Sequence, residues 1–171
     1  YMRGRMAEAK GYASNVNLGD AMVGGTVGQV VKSRNPRFKE GDYVVEYAGW
    51  QSYACSTGDM SMKLDPDAAP LSTALSVLGM PGMTAWWGLM EIGKPKAGET
   101  VVVSAASGAV GSVVGQLAKL KGCRAVGIAG GKDKCDYVVN ELGFDACVDY
   151  RAAGGNLFKE LRAAAPKGID I

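Results

Sequence analysis

Apolar residues in the C-terminal part of the chain follow two alternating spacings, one typical of buried strands and the other of amphipathic helices. A β-branched run from Thr100 to Ser104 precedes apolar positions at i, i+3, i+4, i+7 and i+8 over residues 110–118. The elements predicted next are a strand over 124–129, a helix ended by Gly143, a strand over 146–148, a helix around 157–161 and a terminal strand at Ile169. This alternation predicts an α/β fold, a parallel sheet with right-handed crossovers.

Residues 22–63 have a different pattern, in which short alternating stretches are separated by turns. Gly41 and Asp42 suit a tight turn before one such strand, and the pattern as a whole predicts a small β domain. Pro66 and Pro70 then give the composition of a linker. We therefore expect one domain with its linker over residues 1–80 and a second domain over residues 81–171.

The second domain is predicted to open with a helix. Pro81 suits its first turn, and Ala85, Leu89 and Ile92 have the spacing of a single helix face. Trp86 and Trp87 lie within this helix, where packing is a better interpretation than a platform for stacked bases.

Charge and residue types exclude several kinds of function. The net charge of +2 is spread along the chain, which disfavours binding to nucleic acid or to a membrane. The chain has no histidine, so it contains no Ser-His-Asp triad and lacks the commonest zinc-ligand side chain. No apolar run is long enough to cross a bilayer, and the four cysteines are widely separated. These features predict a cytoplasmic protein with reduced thiols.

Both ends of the sequence favour a piece of a longer polypeptide. The first residue is Tyr1 rather than Met, and the chain stops at Ile171, where a new strand begins. Such a chain supplies only part of its parallel sheet and leaves one sheet edge uncovered. If the polypeptide ended at Ile171, we would expect weak or absent turnover and a tendency to associate.

Small residues follow the strand that begins at Thr100, at the point where the chain turns into a helix. Ala105, Gly108 and Gly111 have the spacing A-x-x-G-x-x-G, which is related to the G-x-G-x-x-G turn of dinucleotide-binding proteins. Small side chains let the backbone approach a pyrophosphate, and the helix N-terminus offers N–H groups to it. Glycine-rich turns also form for packing reasons alone, but the surrounding strands and helices favour dinucleotide binding.

The end of the next strand indicates which dinucleotide is bound. An NAD enzyme has an acidic residue about 20 positions beyond the glycines, for the ribose 2′-hydroxyl. Here the sequence reads AGGKDKC, with space at Gly130 and Gly131 and positive charge at Lys132 and Lys134. A 2′-phosphate, and hence NADP, is favoured. Asp133 would oppose a 2′-phosphate unless its side chain faces solvent at the start of the helix. The two lysines also have a plainer interpretation, as the solvated start of a helix.

Eight motifs, in order and spacing, resemble one family: YMRGRM, GGTVGQVV, EGDYV, GWQSYA, GMPGMTAWWGL, AASGAVGSVVGQLAKLKGC, GIAGGKDKC and ELGFDACVDY. The family is the zinc-independent medium-chain dehydrogenase/reductases of the leukotriene B4 dehydrogenase, prostaglandin reductase, alkenal reductase and curcumin reductase group. The resemblance covers nearly the whole chain, and bacterial members similar to curcumin reductase are the best match.

The resemblance implies a partial GroES-like β domain followed by a partial Rossmann domain, in a full-length protein that we expect to be a homodimer. It implies NADPH as hydride donor, no metal, and reduction of the carbon–carbon double bond of a small α,β-unsaturated aldehyde or ketone. The cofactor-binding residues that it implies are Gly108, Ala109, Val110, Gly111, Gly131, Lys134, Tyr150 and Thr84.

Some of these residues have plainer interpretations from spacing alone. Tyr150 is equally an aromatic residue that packs after a strand, and Thr84 is equally an ordinary hydroxyl near a helix start. The catalytic residue is unknown, with Tyr1 as a candidate on the substrate side and a tyrosine beyond Ile171 as the residue that the family resemblance implies. Two alternatives to enone reduction stay open, an NADP-binding fragment or sensor without turnover and an NADPH quinone reductase of the same fold.

Overall fold

The computed structural model describes residues 2–7 and 15–171. It divides into two compact units, Tyr1–Leu75 and Ser76–Ile171. Tyr1, the predicted substrate-side residue, lies outside the described residues.

The first unit contains a three-stranded antiparallel sheet. Its strands, in spatial and chain order, are β1 (Thr26–Gln29), β2 (Tyr43–Glu46) and β3 (Met62–Leu64), with short 3₁₀ helices at Met2–Arg5 and Leu71–Leu75. Val44 on the central strand is buried, and the Lys63 ammonium lies 2.6 Å from the Asp42 carboxylate beside it. The β pattern predicted for residues 22–63 is therefore present as an antiparallel meander.

The second unit alternates strands and helices around a parallel sheet. Its elements are α1 (Met80–Trp86), a π-helical turn (Trp87–Gly93), β4 (Thr100–Val103), α2 (Gly111–Leu120), β5 (Arg124–Ala129), α3 (Lys132–Asn140), β6 (Ala146–Asp149) and α4 (Leu157–Ala164). The three strands lie in the order β4-β5-β6, and both pairs are parallel. The predicted fold class, a partial Rossmann-type sheet preceded by part of a GroES-like β domain, is confirmed.

The last residues extend this sheet on its other side. The Ile171 N–H donates to the Thr100 carbonyl, and the Val102 N–H donates to the Ile171 carbonyl. Bonds to residues on either side of Val101 are the pattern of a parallel pair. The segment that follows β6 in the chain therefore lies beside β4, at the opposite edge from β6. A crevice for a dinucleotide forms at such a reversal of strand order, outside the carboxyl ends of the strands.

The core of this unit lies between β4, β5 and the helices that cover them. Its buried members are Leu89, Val101, Val103, Ala106, Ala118, Cys123, Ala125, Val138 and Phe144. Gly115 on α2 allows Phe144 to enter this core, because a Cβ at position 115 would lie only 1.8 Å from the ring. The absence of a side chain at Gly115 therefore fixes how closely α2 approaches the sheet.

The helix predicted from Pro81 begins as expected but changes its winding. Ala85 and Leu89 are buried, whereas Ile92 is 74% exposed, so the prediction that these three residues share one face is wrong at Ile92. The reason is the π-helical turn Trp87–Gly93, which has more residues per turn than an α-helix and rotates Ile92 away. Trp86 and Trp87 are also more than a third exposed, with ring centroids 6.4 Å apart.

Candidate dinucleotide-binding site

The turn between β4 and α2 is closed by a tight backbone approach. Ala105 has a φ of +49°, in the left-handed region that L-residues rarely adopt. The Gly108 N–H donates to the Ala105 carbonyl at 2.8 Å. A Cβ on Gly111 would lie 2.4 Å from the same carbonyl oxygen. Gly111 is thus required by the turn itself, and Ala105 has the backbone conformation that glycine adopts most easily.

This turn leaves a row of backbone donors at the start of α2. The N–H groups of Ala109, Val110 and Gly111 make no hydrogen bond within the described part of the chain, whereas Ser112 already donates to the Gly108 carbonyl at 2.9 Å. Helix N-termini bind anions because such amides are unpaired and the helix dipole is positive there. The four residues implied for the pyrophosphate, Gly108 to Gly111, therefore form one continuous turn with donors to offer.

The end of β5 is connected to the end of β6 by one hydrogen bond. Gly131, with a φ of +103°, precedes α3, and its N–H donates to Asp149 Oδ1 at 2.8 Å. The Arg151 N–H donates to the same oxygen at 2.9 Å. These backbone donors, that of Gly131 first, lower the pKa of Asp149. The carboxylate is therefore ionised at neutral pH and holds Gly131 in place.

The two lysines after Gly131 have different surroundings. The Lys132 ammonium forms an i, i+4 ion pair with Asp136, which raises the pKa of Lys132. Lys134 is exposed in the first turn of α3 and makes no ion pair with any residue that the structure describes. Asp133 is also exposed there. Lys134 is therefore the lysine of this pair whose charge remains available to an added phosphate.

Tyr150 lies against the same turn. A Cβ on Gly130 would be 2.7 Å from the Tyr150 ring, so the ring lies over the Gly130 backbone. The Arg151 guanidinium carbon is 5.9 Å from the ring centroid, and half of the tyrosine surface is exposed. The structure thus brings together Gly130, Gly131 and Tyr150.

Thr84 is placed differently from the other predicted residues. It is exposed on α1, and its hydroxyl donates to the Met80 carbonyl one turn earlier at 2.7 Å. This contact within a helix is the ordinary hydroxyl role that spacing alone left open.

Asp149 is the residue of this site that sequence reasoning missed. The sequence does contain one local indication of its role. An aspartate at the end of a strand often accepts a hydrogen bond from the N–H two residues later and so forms an Asx-turn, as Asp149 does with Arg151. Its bond to Gly131, 18 residues away in the chain, leaves no such signal in the sequence.

Among residues 2–7 and 15–171, no group of three or more histidine, cysteine, aspartate or glutamate side chains is placed to hold a metal ion. None of the helices described is both long and apolar enough to cross a membrane.

Comparisons with known proteins agree with this geometry. Residues 1–64 match the family described as the N-terminal domain of oxidoreductase. The chain is 52% identical over its whole length to the NADPH-dependent curcumin reductase of Escherichia coli, and 43% identical to the NADP(+)-dependent 2-alkenal reductase of Nicotiana tabacum. It covers 49% and 50% of those proteins, respectively. The chain thus spans about half the length of the curated relatives it matches.

A solved structure gives the same result in three dimensions. CurA from Vibrio vulnificus in complex with NADPH superposes with a TM-score of 0.88 at 49% identity, over 99% of this chain and 50% of that one. Together with the fold, these similarities assign the chain to the medium-chain dehydrogenase/reductases. Within that class, the chain belongs to the family of the curcumin, prostaglandin and 2-alkenal reductases, as the sequence motifs predicted.

Proposed function

We propose that this chain forms the cofactor-binding part of an oxidoreductase that uses NADPH to reduce the carbon–carbon double bond of α,β-unsaturated aldehydes or ketones. The observation that carries the proposal is a set of N–H groups, at Ala109, Val110 and Gly111 beyond the carboxyl end of β4, that donate to no acceptor among residues 2–7 and 15–171. The named relatives support the reaction class, because they include curcumin, prostaglandin and alkenal reductases.

The diphosphate of the cofactor would be held at this turn. Gly108 and Gly111 let the backbone close up, and the three amides and the helix dipole supply positive charge where the anion is needed. No side chain is required for this contact, which accounts for the small residues at positions 105–109 and 111.

The 2′-phosphate would be held at the start of α3. Lys134 provides an ammonium that is paired with no residue the structure describes, and Gly131 supplies a turn without a side chain. The carboxylate at this edge, Asp149, already accepts hydrogen bonds from two backbone N–H groups, those of Gly131 and Arg151. The role of Asp149 is therefore structural. We assign Tyr150, whose ring lies over Gly130, to the adenosine side of the cofactor.

When bound, NADPH supplies the hydride for the β-carbon of the enone. The residues of this chain would bind and orient it, since proximity and orientation lower the barrier to the transfer. Thr84 is proposed near the nicotinamide and Tyr1 on the substrate side, where its phenol could donate to the substrate carbonyl.

The remaining assignments follow the family. We propose a GroES-like substrate-side domain over residues 1–80 and the first half of the NADP-binding domain over 81–171. Zinc independence is supported by the absence of histidine from this chain. We further propose a cytoplasmic location, a homodimeric full-length protein and no nucleic-acid partner.

The function is tested by cofactor oxidation in the full-length protein. NADPH oxidation is followed with a 2-alkenal, with an enone and with a quinone at equal concentration. The proposal expects fast oxidation with the alkenal or enone and slow oxidation with the quinone. Binding of NADPH without oxidation by any substrate would instead support a cofactor-binding protein without turnover, and a preference for the quinone would support a quinone reductase.

A further inference from the structure

Two cysteines face each other beside the proposed 2′-phosphate site. Cys135 in the first part of α3 and Cys147 on β6 have their sulfur atoms 3.1 Å apart. Neither residue is fully buried, unlike Cys123, and Cys55 is exposed elsewhere in the first unit. The folded backbone therefore brings together two thiols that are 12 residues apart in the chain.

We propose that Cys135 and Cys147 form an oxidisable dithiol that a hydroperoxide converts to an intrachain disulfide. An S–S bond is about 2.05 Å long, so the sulfur atoms need to approach by only about 1 Å. The two sulfur atoms are held near each other, because β6 is paired with β5 and α3 packs on both strands.

The two sulfurs have different roles in the reaction. Burial, followed by the hydrogen bond to Cys135, raises the pKa of Cys147 well above its usual range, so this thiol stays protonated and donates to Cys135. Cys135 is therefore the sulfur that attacks. Its thiolate attacks one oxygen of the hydroperoxide and the O–O bond breaks, so Cys135 becomes a sulfenic acid and the departing alkoxide or hydroxide takes up a proton from solvent. The Cys147 thiol then attacks that sulfenic sulfur, and its proton leaves with the sulfenic hydroxyl as water. Two thiols are thus oxidised by two electrons and one O–O bond is reduced.

The location of the pair gives the disulfide a consequence for the cofactor, which rests on the proposed function. Cys135 directly follows Lys134, and the Cys135 N–H donates to the Gly131 carbonyl at 3.2 Å. Drawing Cys135 toward β6 therefore shifts the turn that carries both residues assigned to the 2′-phosphate. We expect the disulfide to weaken NADPH binding while NADH binding stays nearly unchanged.

The first experiment detects the bond itself. The reduced full-length protein is treated with hydrogen peroxide, and its peptides are mapped by mass spectrometry without reduction. The proposal expects a Cys135–Cys147 linkage within one chain, with loss of two hydrogen atoms and recovery by dithiothreitol. Cys55→Ser serves as the matched control and should form the same linkage. Cys147→Ser should instead accumulate a trappable sulfenic acid at Cys135. Reduced Cys135 and Cys147 in wild-type peptides after Cys55 has been oxidised would overturn the proposal.

The second experiment measures the dissociation constants of NADPH and NADH for the reduced and oxidised forms. We expect NADPH binding to weaken at least threefold on oxidation in the wild type and to stay constant in Cys135→Ser. Unchanged NADPH binding by a protein shown to carry the disulfide would overturn the regulatory consequence. If the reduced protein did not distinguish NADPH from NADH, the proposed function would fail, while the peptide map would still decide whether the dithiol exists.

Discussion

The Gly131 N–H donates to Asp149 Oδ1 at 2.8 Å and so joins the carboxyl ends of two neighbouring parallel strands. The Asp149 carboxylate therefore stabilises the turn between β5 and α3. The acidic residue of this edge, Asp149, thus holds Gly131 in place, and Lys134 in the first turn of α3 remains available to a phosphate.

This relationship makes the stability of the second unit sensitive to acid. The pKa of Asp149 is lowered by the Gly131 N–H, so the folded state binds fewer protons than the unfolded state in this range. The stabilisation is fully present at pH values above the ordinary value of 3.8, and it is lost as the pH falls below that value through the lower pKa of the folded state. Urea unfolding at a series of pH values measures it, and Asp149→Asn should show a flatter profile in the same range.

Asp145 contributes to the same acid sensitivity. Burial opposes its ionisation, but the Lys119 ammonium at 2.7 Å and the Ala125 N–H outweigh that effect and lower its pKa. The Asp149→Asn variant should therefore retain part of the acid dependence. A double variant that also carries Asp145→Asn should lose more of it, and an unaltered profile in the double variant would contradict this explanation.

Gly115→Ala should destabilise the second unit. The new Cβ would lie 1.8 Å from Phe144 Cζ, so either the ring or α2 must move. Overpacking of a core costs roughly 1–3 kcal/mol, which denaturant unfolding resolves easily. Gly88→Ala is the matched control, because a Cβ there meets nothing within 4 Å. Equal stability of the two variants would show that α2 does not pack as described.

Ala105→Gly should stabilise the turn or leave it unchanged. A φ of +49° costs an L-residue about 1–2 kcal/mol, and glycine removes that cost. The greater freedom of glycine in the unfolded chain opposes this by roughly 0.4–1 kcal/mol. We therefore expect a net gain of between about 0 and 1.6 kcal/mol in the free energy of unfolding. Marked destabilisation by this substitution would contradict the left-handed conformation at Ala105.

Much of the fold was predictable because it depends on local periodicity. The strand Arg124–Ala129 has the predicted bounds, and the helix after the glycine turn differs from its predicted span by one or two residues. Ile92 was misplaced because nothing in the sequence marks the change to π-helical winding that begins at Trp87. A helical wheel assumes one constant rotation per residue, so a single altered turn displaces each position after it.

The site was predictable where its residues act through the local backbone. Gly108 and Gly111 revealed the turn by their spacing, but the left-handed conformation of Ala105 depends on how the whole turn closes. The sequence equally could not separate Lys132 from Lys134. Their difference comes from the ion pair with Asp136, one helical turn beyond Lys132. The roles of these residues toward the cofactor stay predictions.

Cofactor selection by Lys134 is the claim on which the proposed function depends most directly, and paired titrations of NADPH and NADH test it. We predict that the full-length wild-type protein binds NADPH more tightly, that Lys134→Ala loses roughly tenfold of that preference, and that Lys132→Ala, whose ammonium is already paired with Asp136, loses little. Equal affinities of the wild type for the two cofactors, or a preference that survives in Lys134→Ala, would contradict the account.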